Sequence, residues 1–162
     1  MSERPFVVRP ACEADLPAVG RLGAELVRQH HRFDAARFMA PGEDVDAGYA
    51  WFLGTQLREP DTLILVADHG ERILGYLYAA IEPRSWKELR DEAGFIHDVV
   101  VDERFRRAGI ARALVEKAAD WFRSHGMPRM VLWTAAPNEA AQHLFAGLGF
   151  RRTMIELTRE LG

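Results

Sequence analysis

The order of segments in this sequence predicts an α/β sandwich with a mixed central sheet and flanking helices. Three observations support this fold class. Strand-like and helix-like segments follow one another as β, α, α, three consecutive β, then α, β, α, β. A short connection typical of a β-hairpin joins two of the consecutive strands, so the first half of the sheet is expected to be antiparallel. Further along, a β-branched strand leads directly into an amphipathic helix, as α/β folds require.

The first third of the chain predicts one strand and two helices. A strand over residues 6–9 ends at Pro10, which has no N–H to donate to a ladder. Apolar residues then recur at helical spacing over residues 13–31. Residues 30–46 show no clean period and predict a long loop, followed by a second helix over residues 44–58.

The middle of the chain predicts three strands. Residues 62–68 and 73–81 are apolar runs joined by four residues that include one glycine, which predicts a hairpin. After a polar stretch, residues 95–101 are rich in β-branched side chains, which are typical of a central strand.

Two helices and two strands complete the predicted order. Residues 102–126 become helical with one apolar stripe, and Gly126 suits the C-terminal cap. A strand over residues 130–135 follows, and then a short helix over residues 138–148. Residues 150–160 are expected to form the last strand.

Size and composition exclude several classes of protein. The 162 residues, of which 48% are hydrophobic and 28% charged, fit a single globular domain over residues 1–162. A net charge of −3 argues against general nucleic-acid binding. Neither Lys87 nor Lys117, the only lysines, stands in a P-loop, and no serine stands in a Gly-x-Ser-x-Gly elbow. The single cysteine, Cys12, and the lack of a targeting signal or membrane-spanning run predict a cytoplasmic protein.

The turn before the long helix is the first candidate binding site. The segment Arg106-Arg107-Ala108-Gly109-Ile110-Ala111 follows the central strand and begins the helix. The first turn of a helix offers N–H groups without intrahelical partners, and the helix dipole adds positive potential there. Gly109 lets the backbone approach an anion closely, and the arginines add countercharge. The segment therefore predicts a pyrophosphate site; the alternative is a capped helix start with solvated arginines.

A second segment, one strand further on, adds a family resemblance. Asn138 is the only asparagine and begins a run that ends in Leu148-Gly149-Phe150; its simplest interpretation is a helix N-cap. In this order and spacing, the two segments resemble the GCN5-related N-acetyltransferase (GNAT) family, and the resemblance covers nearly the whole chain. In that family the first segment grips the pyrophosphate of coenzyme A, and the second lines its pantetheine arm. The resemblance implies transfer of an acetyl group from acetyl-CoA, as cosubstrate, to a primary amine of a small molecule, peptide or protein.

The resemblance also implies a set of cofactor-binding residues. In the family, the strand before the turn splays from the next strand and leaves backbone groups free for the pantetheine. The implied cofactor-binding residues are Val99, Val100, Val101, Arg106, Arg107, Ala108, Gly109, Ile110, Ala111, Arg112, Asn138 and Phe145. No metal is expected, because the adjacent His30 and His31 point to different helix faces and no third ligand is spaced nearby.

Direct attack on a thioester needs a neutral amine, whereas a lysine-like amine has an ordinary pKa near 10.4, so a general base is useful. His97 is the first candidate, because histidine titrates near neutral pH, and Asp98 is the second. Successive strand residues face opposite sides, so only one of the two reaches the crevice unless a bulge intervenes. The alternatives are a packed histidine without a catalytic role and a chain of water molecules as the base.

The sequence departs from the family at one position. Phe145 stands where a tyrosine usually protonates the leaving thiolate. Water with helix N–H groups, Tyr76 or Tyr78 are the alternative proton donors. The missing phenol keeps open a second function, a catalytically inactive acyl-CoA-binding regulatory module of the same fold. An unrelated α/β domain with a chance anion site is the third alternative.

The sequence identifies no particular acceptor or partner. In the family, two loops determine the acceptor, here residues 30–46 and 82–93, and both have a mixed composition. No nucleic-acid or membrane partner is expected. The last strand, with Met154, Ile155 and Leu157, predicts edge pairing with a second copy, which makes the chain a candidate homodimer.

Overall fold

The predicted mixed sheet is present in the computed structural model, which describes residues 6–162. Its strands are β1 (Val7–Pro10), β2 (Thr62–Asp68), β3 (Ile73–Glu82), β4 (Ala93–Val101) and β5 (Met130–Leu132). Its helices are α1 (Leu16–Phe33), α2 (Val45–Gln56), α3 (Ile110–Ser124) and α4 (Glu139–Gly147). Short 3₁₀ turns at Glu13–Asp15 and Glu103–Phe105 precede α1 and α3. Within residues 6–162, no helix combines the length and the apolar character that crossing a membrane requires.

The strands lie in the order β1-β2-β3-β4-β5. The first four pair antiparallel, and β5 pairs parallel with β4, so the predicted mixed topology with an antiparallel front half is confirmed. The predicted hairpin is the β2–β3 pair. The chain returns from β4 to β5 through α3, which explains why the β-branched strand and the amphipathic helix are adjacent in the sequence.

Helices cover both faces of the sheet, which explains why β2 and β3 are apolar along most of their length. The α3 face buries alternate strand residues such as Leu65 against α3. The opposite face, which we call the α1/α2 face, buries Val66, Tyr76 and Tyr78 against α1 and α2. The two cores place the middle of β4 between α3 on one side and the two N-terminal helices on the other.

A bulge interrupts the pairing between β3 and β4. Tyr78 pairs with Asp98, and the next residue of β3, Ala79, pairs with Ile96. His97 is therefore an extra residue without an opposite partner on β3. Beyond the bulge, the alternation of β4 between the two faces is shifted by one position.

The middle of the sheet opens between β4 and β5. Their parallel pairing covers three residues of each strand and ends at Ile96 opposite Leu132, whereas β4 continues to Val101. The β5-facing edge of residues 97–101 has no strand partner within the described chain. The expected splay of the middle strands is confirmed.

The predicted last strand is wrong for the single chain. Residues 151–162 form neither helix nor strand, and every one of them is exposed. The segment contains apolar residues such as Ile155 that favour a strand, but a strand also needs a neighbouring edge to satisfy its backbone groups. Within residues 6–162 no such edge is paired with it.

Candidate active site

The turn between β4 and α3 has an unusual backbone. Arg107 has a φ of +65°, and Gly109, the residue before α3, has a φ of +78°. This left-handed region favours glycine, and a Cβ added to Gly109 meets nothing within 4 Å. The turn is therefore open to solvent on the side of Gly109. Ile110 follows at once and is buried on the α3 face, which fixes the start of the helix.

Four consecutive backbone amides at the start of α3, those of residues 109–112, have no protein acceptor among residues 6–162. The helical pattern begins with Ala113, which donates to Gly109 at 3.0 Å. The side chains of Arg106, Arg107 and Arg112 are exposed beside these amides. Unpaired N–H groups at a helix start, together with arginines, form an arrangement suited to an anion.

The bulge brings both candidate bases to the same face of the sheet. The ring of His97 lies 5.0 Å from that of Tyr78 and stacks on Phe95 at 4.7 Å. Asp98 accepts a hydrogen bond from the Tyr76 hydroxyl at 2.9 Å. Since Tyr76 and Tyr78 both face α1 and α2, His97 and Asp98 do as well. In a strand without a bulge, only one of these two neighbouring side chains could face α1 and α2. The bulge therefore places both on the same face of the sheet.

The two candidate bases differ in their surroundings. Asp98 is 8% exposed and also accepts a hydrogen bond from Tyr49 of α2. Burial raises the pKa of its carboxyl above the ordinary value, although the two tyrosine hydroxyls act in the opposite direction. Burial also raises the pKa of Tyr49 and of Tyr76, so both phenols remain protonated donors. This carboxylate therefore links α2 to the sheet and is shielded from an incoming amine.

His97 is open to solvent where β4 and β5 separate. Its Nε2 lies 2.9 Å from Oε1 of Glu82, the last residue of β3. Phe95, on which the imidazole stacks, also contacts the exposed ring of Trp133 beyond β5. The imidazole is thus held by one carboxylate and one aromatic face while its edge remains accessible. The sequence alone does not indicate that Glu82 contacts His97, because no pattern within one strand shows which residue faces it.

The second predicted segment has the structural role that its residues indicate. The Asn138 side chain caps α4 by accepting a hydrogen bond from the Ala141 N–H at 3.1 Å. Phe145 lies 5.6 Å from Phe150, ring to ring, and packs against the α3 core. Both residues therefore have sufficient structural reasons to be present.

None of the three tyrosine hydroxyls points toward an open site. Those of Tyr49 and Tyr76 donate to Asp98, and that of Tyr78 donates to Gln56 at 3.0 Å. Tyr76 is fully buried, so it does not reach a leaving group. Burial raises the pKa of Tyr78 to about 12, which makes its phenol a weaker acid than an ordinary one. The structure offers no replacement phenol for Phe145.

A groove of about 980 Å³ runs from α1 along the end of β4 to the turn. Leu22 and Leu26 of α1 line it opposite Val100, and it reaches Arg106. Side chains of both charge signs also line the groove, so its charge selects no single class of ligand. His30 and His31 lie at the end of α1, where each Nδ1 faces a backbone carbonyl oxygen. Among residues 6–162, no group of three or more His, Cys, Asp or Glu side chains is arranged to hold a metal ion.

The sequence of this chain is similar to those of known proteins. The chain is 31% identical over 98 residues to a mycothiol acetyltransferase of Cellulomonas flavigena, a match that covers 57% of this chain and 28% of that protein. The chain spans less than half the length of each of the first curated relatives.

Solved structures share the fold over nearly the full chain. A variant of the BH1408 protein of Bacillus halodurans matches with a TM-score of 0.80 at 22% identity, covering 96% of this chain and 99% of that one. The aminoglycoside N-acetyltransferase AAC(6')-Iy in complex with CoA matches with a TM-score of 0.78 at 18% identity, covering 99% and 98%. The family described as "Acetyltransferase (GNAT) family" matches residues 25–150, which is most of the sequence. With the splayed sheet and the open turn before α3, this match establishes that the chain belongs to the GNAT acetyltransferase family.

Proposed function

We propose that this chain transfers an acetyl group from acetyl-CoA to a primary amine of a small molecule, peptide or protein. The main support is the run of N–H groups without protein acceptors at residues 109–112, near the unpaired edge of β4. Family membership supports the same reaction, since the family is one of acetyltransferases. A cytoplasmic location and the absence of nucleic-acid and membrane partners stay predictions from the sequence.

The chain's own groups fit the parts of coenzyme A. The amides of residues 109–112 would donate to the pyrophosphate oxygens, and Arg106, Arg107 and Arg112 would supply countercharge. The free edge at Val99–Val101 would bind the amide groups of the pantetheine arm. Phe145, which packs against the α3 core, would contribute apolar surface for the pantetheine arm, and Asn138 would fix the start of α4 through its cap.

The cosubstrate supplies the acetyl group as a thioester: the amine nitrogen bonds to the carbonyl carbon, the C–S bond breaks and the sulfur leaves as a thiolate. The protein's main tasks are to accept the proton of the amine and to orient the two reactants. We assign the proton to His97 rather than Asp98, because the imidazole is exposed at the splay and Asp98 is buried under two tyrosine hydroxyls. Glu82 orients the ring and would stabilise it when it is charged.

The leaving thiolate has no protein acid in this arrangement. Because all three tyrosine hydroxyls donate elsewhere, we infer that water protonates the thiolate and that the helix N–H groups stabilise it. The same observation favours a second candidate function, an inactive acyl-CoA-binding regulatory module. Both functions would bind the coenzyme at the turn before α3, and only the first would catalyse acetyl transfer.

One experiment separates the two functions. The chain is incubated with acetyl-CoA and a panel of primary amines that includes small molecules, peptides and proteins, and the free thiol released is measured. Transfer predicts release that depends on one class of amine and exceeds release without protein. Thermal stabilisation by acetyl-CoA without release for any amine would replace transfer by the binding module. Absence of both signals would reject both functions.

A further inference from the structure

Aromatic rings form a continuous row across the α1/α2 face, at the level where β4 and β5 separate. The row begins at Phe52 of α2, passes through Tyr78 of β3 and ends at Trp133, the residue after β5. His97 and Phe95 of β4 lie in between. Neighbouring ring centroids are 5.8, 5.0, 4.7 and 5.2 Å apart in that order, as interacting aromatic pairs are. We call these five side chains the aromatic row.

The strands place the aromatic row on one side of the sheet. Ile96 and Leu132 pack in the α3 core, so their neighbours Phe95 and Trp133 face the other way. The bulge adds the imidazole of His97 to the same face. The candidate base therefore lies in the middle of an aromatic surface and not in a polar pocket.

Three members of the aromatic row are open to solvent. Phe52 has 37% of its surface exposed and Trp133 has 68%, and the imidazole of His97 between them is exposed as well. Tyr78 and Phe95 are buried and support the exposed rings. An amine bound at the imidazole thus has an aromatic ring on either side of it. Trp133 offers the larger exposed ring, and Phe95 contacts it edge to face beside the base.

The aromatic row provides little compensation for a second positive charge on the acceptor. Within residues 6–162, its polar groups pair with the neutral amide of Gln56 and with Glu82, which is already used by the imidazole. Asp98 is buried behind two tyrosine hydroxyls. A second ammonium group would lose hydration at these rings without a carboxylate of its own. An aromatic ring has no such cost and gains contact with Trp133.

We propose that the acceptor is a small primary amine joined by a short link to an aromatic ring, and that this ring packs on Trp133 while the amine nitrogen faces His97. The link is short because only Phe95 separates the imidazole from the indole. Trp133 is then a specificity-determining residue, and His97 keeps the role of base. This inference rests on the acetyl transfer proposed above: the nitrogen bonds to the thioester carbon, its proton passes to the imidazole and the thiolate leaves.

The first test compares phenethylamine, cyclohexylethylamine and putrescine as acceptors at saturating acetyl-CoA. Putrescine is included because aromatic faces also attract cations. The kcat/KM for phenethylamine should exceed that for putrescine by at least about tenfold, because the second ammonium group loses its hydration at the aromatic row. An equal or higher value for putrescine would overturn the aromatic acceptor and leave acetyl transfer in place. Thiol release with no amine of this set or of the wider panel would instead reject acetyl transfer itself, and this inference with it.

The second test addresses Trp133. In each variant, the kcat/KM for phenethylamine is divided by that for cyclohexylethylamine, so the different basicities of the two amines cancel between variants. Trp133→Ala should lower this ratio by about two- to tenfold, because ring stacking favours the aromatic ring over the saturated one. An unchanged ratio would show that Trp133 does not contact the acceptor.

Trp51→Ala is the matched control. Trp51 is 73% exposed and lies two residues after Tyr49 on α2, so its indole points away from the sheet. Both indoles are largely exposed, so both variants should fold, and isothermal titration should give the same acetyl-CoA affinity for both. The ratio in Trp51→Ala should equal that of the unmodified chain. An equal fall of the ratio in the two variants, or loss of acetyl-CoA affinity in Trp133→Ala, would overturn the assignment of Trp133 to the acceptor.

Discussion

The Tyr76 hydroxyl donates a hydrogen bond of 2.9 Å to the Asp98 carboxylate between two strands in the middle of the sheet. Tyr49 donates to the same oxygen from α2, so a buried acid connects the helical layer to β3 and β4. No cation is within salt-bridge distance of Asp98 in the described part of the chain. Its hydrogen-bond partners are the two hydroxyl groups, and His97 and His30 act on it only through space, which makes each donor important for stability.

Removing one of these donors should destabilise the protein. Tyr76→Phe leaves a buried carboxylate with one hydroxyl fewer, and hydrogen bonds to charged groups contribute about 1.5–3 kcal/mol. Tyr78→Phe is the matched control, because that hydroxyl donates to the neutral amide of Gln56 and its loss should cost only about 0.5–1.5 kcal/mol. Denaturant unfolding of the two variants measures the difference. Equal losses would show that Asp98 does not depend on Tyr76.

Asp98 should also make stability depend on pH. Because burial raises its pKa in the folded state, its favourable contribution is complete below the unfolded value of about 3.9 and is lost as pH rises through the folded value. Asp98→Asn cannot ionise and lacks this loss. The free energy of unfolding of the unmodified chain, relative to Asp98→Asn, should therefore fall as pH rises above about 3.9. A relative value that is constant with pH, or that rises, would contradict the direction of the shift.

The open turn predicts the behaviour of two glycine variants. Gly109 and Gly126 lie at the two ends of α3, both with positive φ and both with free space around a new Cβ. Gly109→Glu places a carboxylate beside the unpaired amides and should weaken acetyl-CoA binding by at least about tenfold. Gly126→Glu introduces comparable backbone strain far from the turn and should leave the affinity unchanged.

Isothermal titration with acetyl-CoA measures both affinities, and unfolding midpoints show whether the two variants are strained to the same extent. Binding retained by Gly109→Glu, or lost equally in both variants, would show that coenzyme A does not bind at this turn.

The order of helices and strands could be predicted because the spacing of apolar residues differs between the two kinds of element. The stripe along α3 repeats at helical spacing, and β2 and β3 are joined by a short turn that sets their pairing. The bulge at His97 could not be predicted. A strand buried on both faces is apolar at nearly every position. A shift of its register by one residue therefore does not change the hydrophobic pattern of the sequence.

Contacts between residues distant in the sequence also leave no signal in the sequence pattern. Glu82 and His97 belong to strands joined by ten residues, and no tight turn sets the register of that connection. The contact between Tyr49 and Asp98 depends on how α2 packs on the sheet. Residues 150–160 differ from these contacts. They contain residues that favour a strand, but a strand forms only beside an available sheet edge, and the sequence of the segment does not show whether such an edge is available.

The exposed position of His97 beside Glu82 predicts the pH profile of the proposed reaction. His97→Ala should lower kcat near neutral pH by about 10² to 10⁴, the usual contribution of a general base, and should flatten the acidic limb of the profile. Glu82→Gln keeps an acceptor oxygen beside the ring but removes its charge, so kcat should fall less than in His97→Ala. Since neither side chain lies on the turn before α3, the affinity for acetyl-CoA should remain unchanged in both variants. Steady-state rates across the pH range measure these effects; an unchanged acidic limb in His97→Ala would eliminate His97 as the base and leave Asp98 or a water chain in its place.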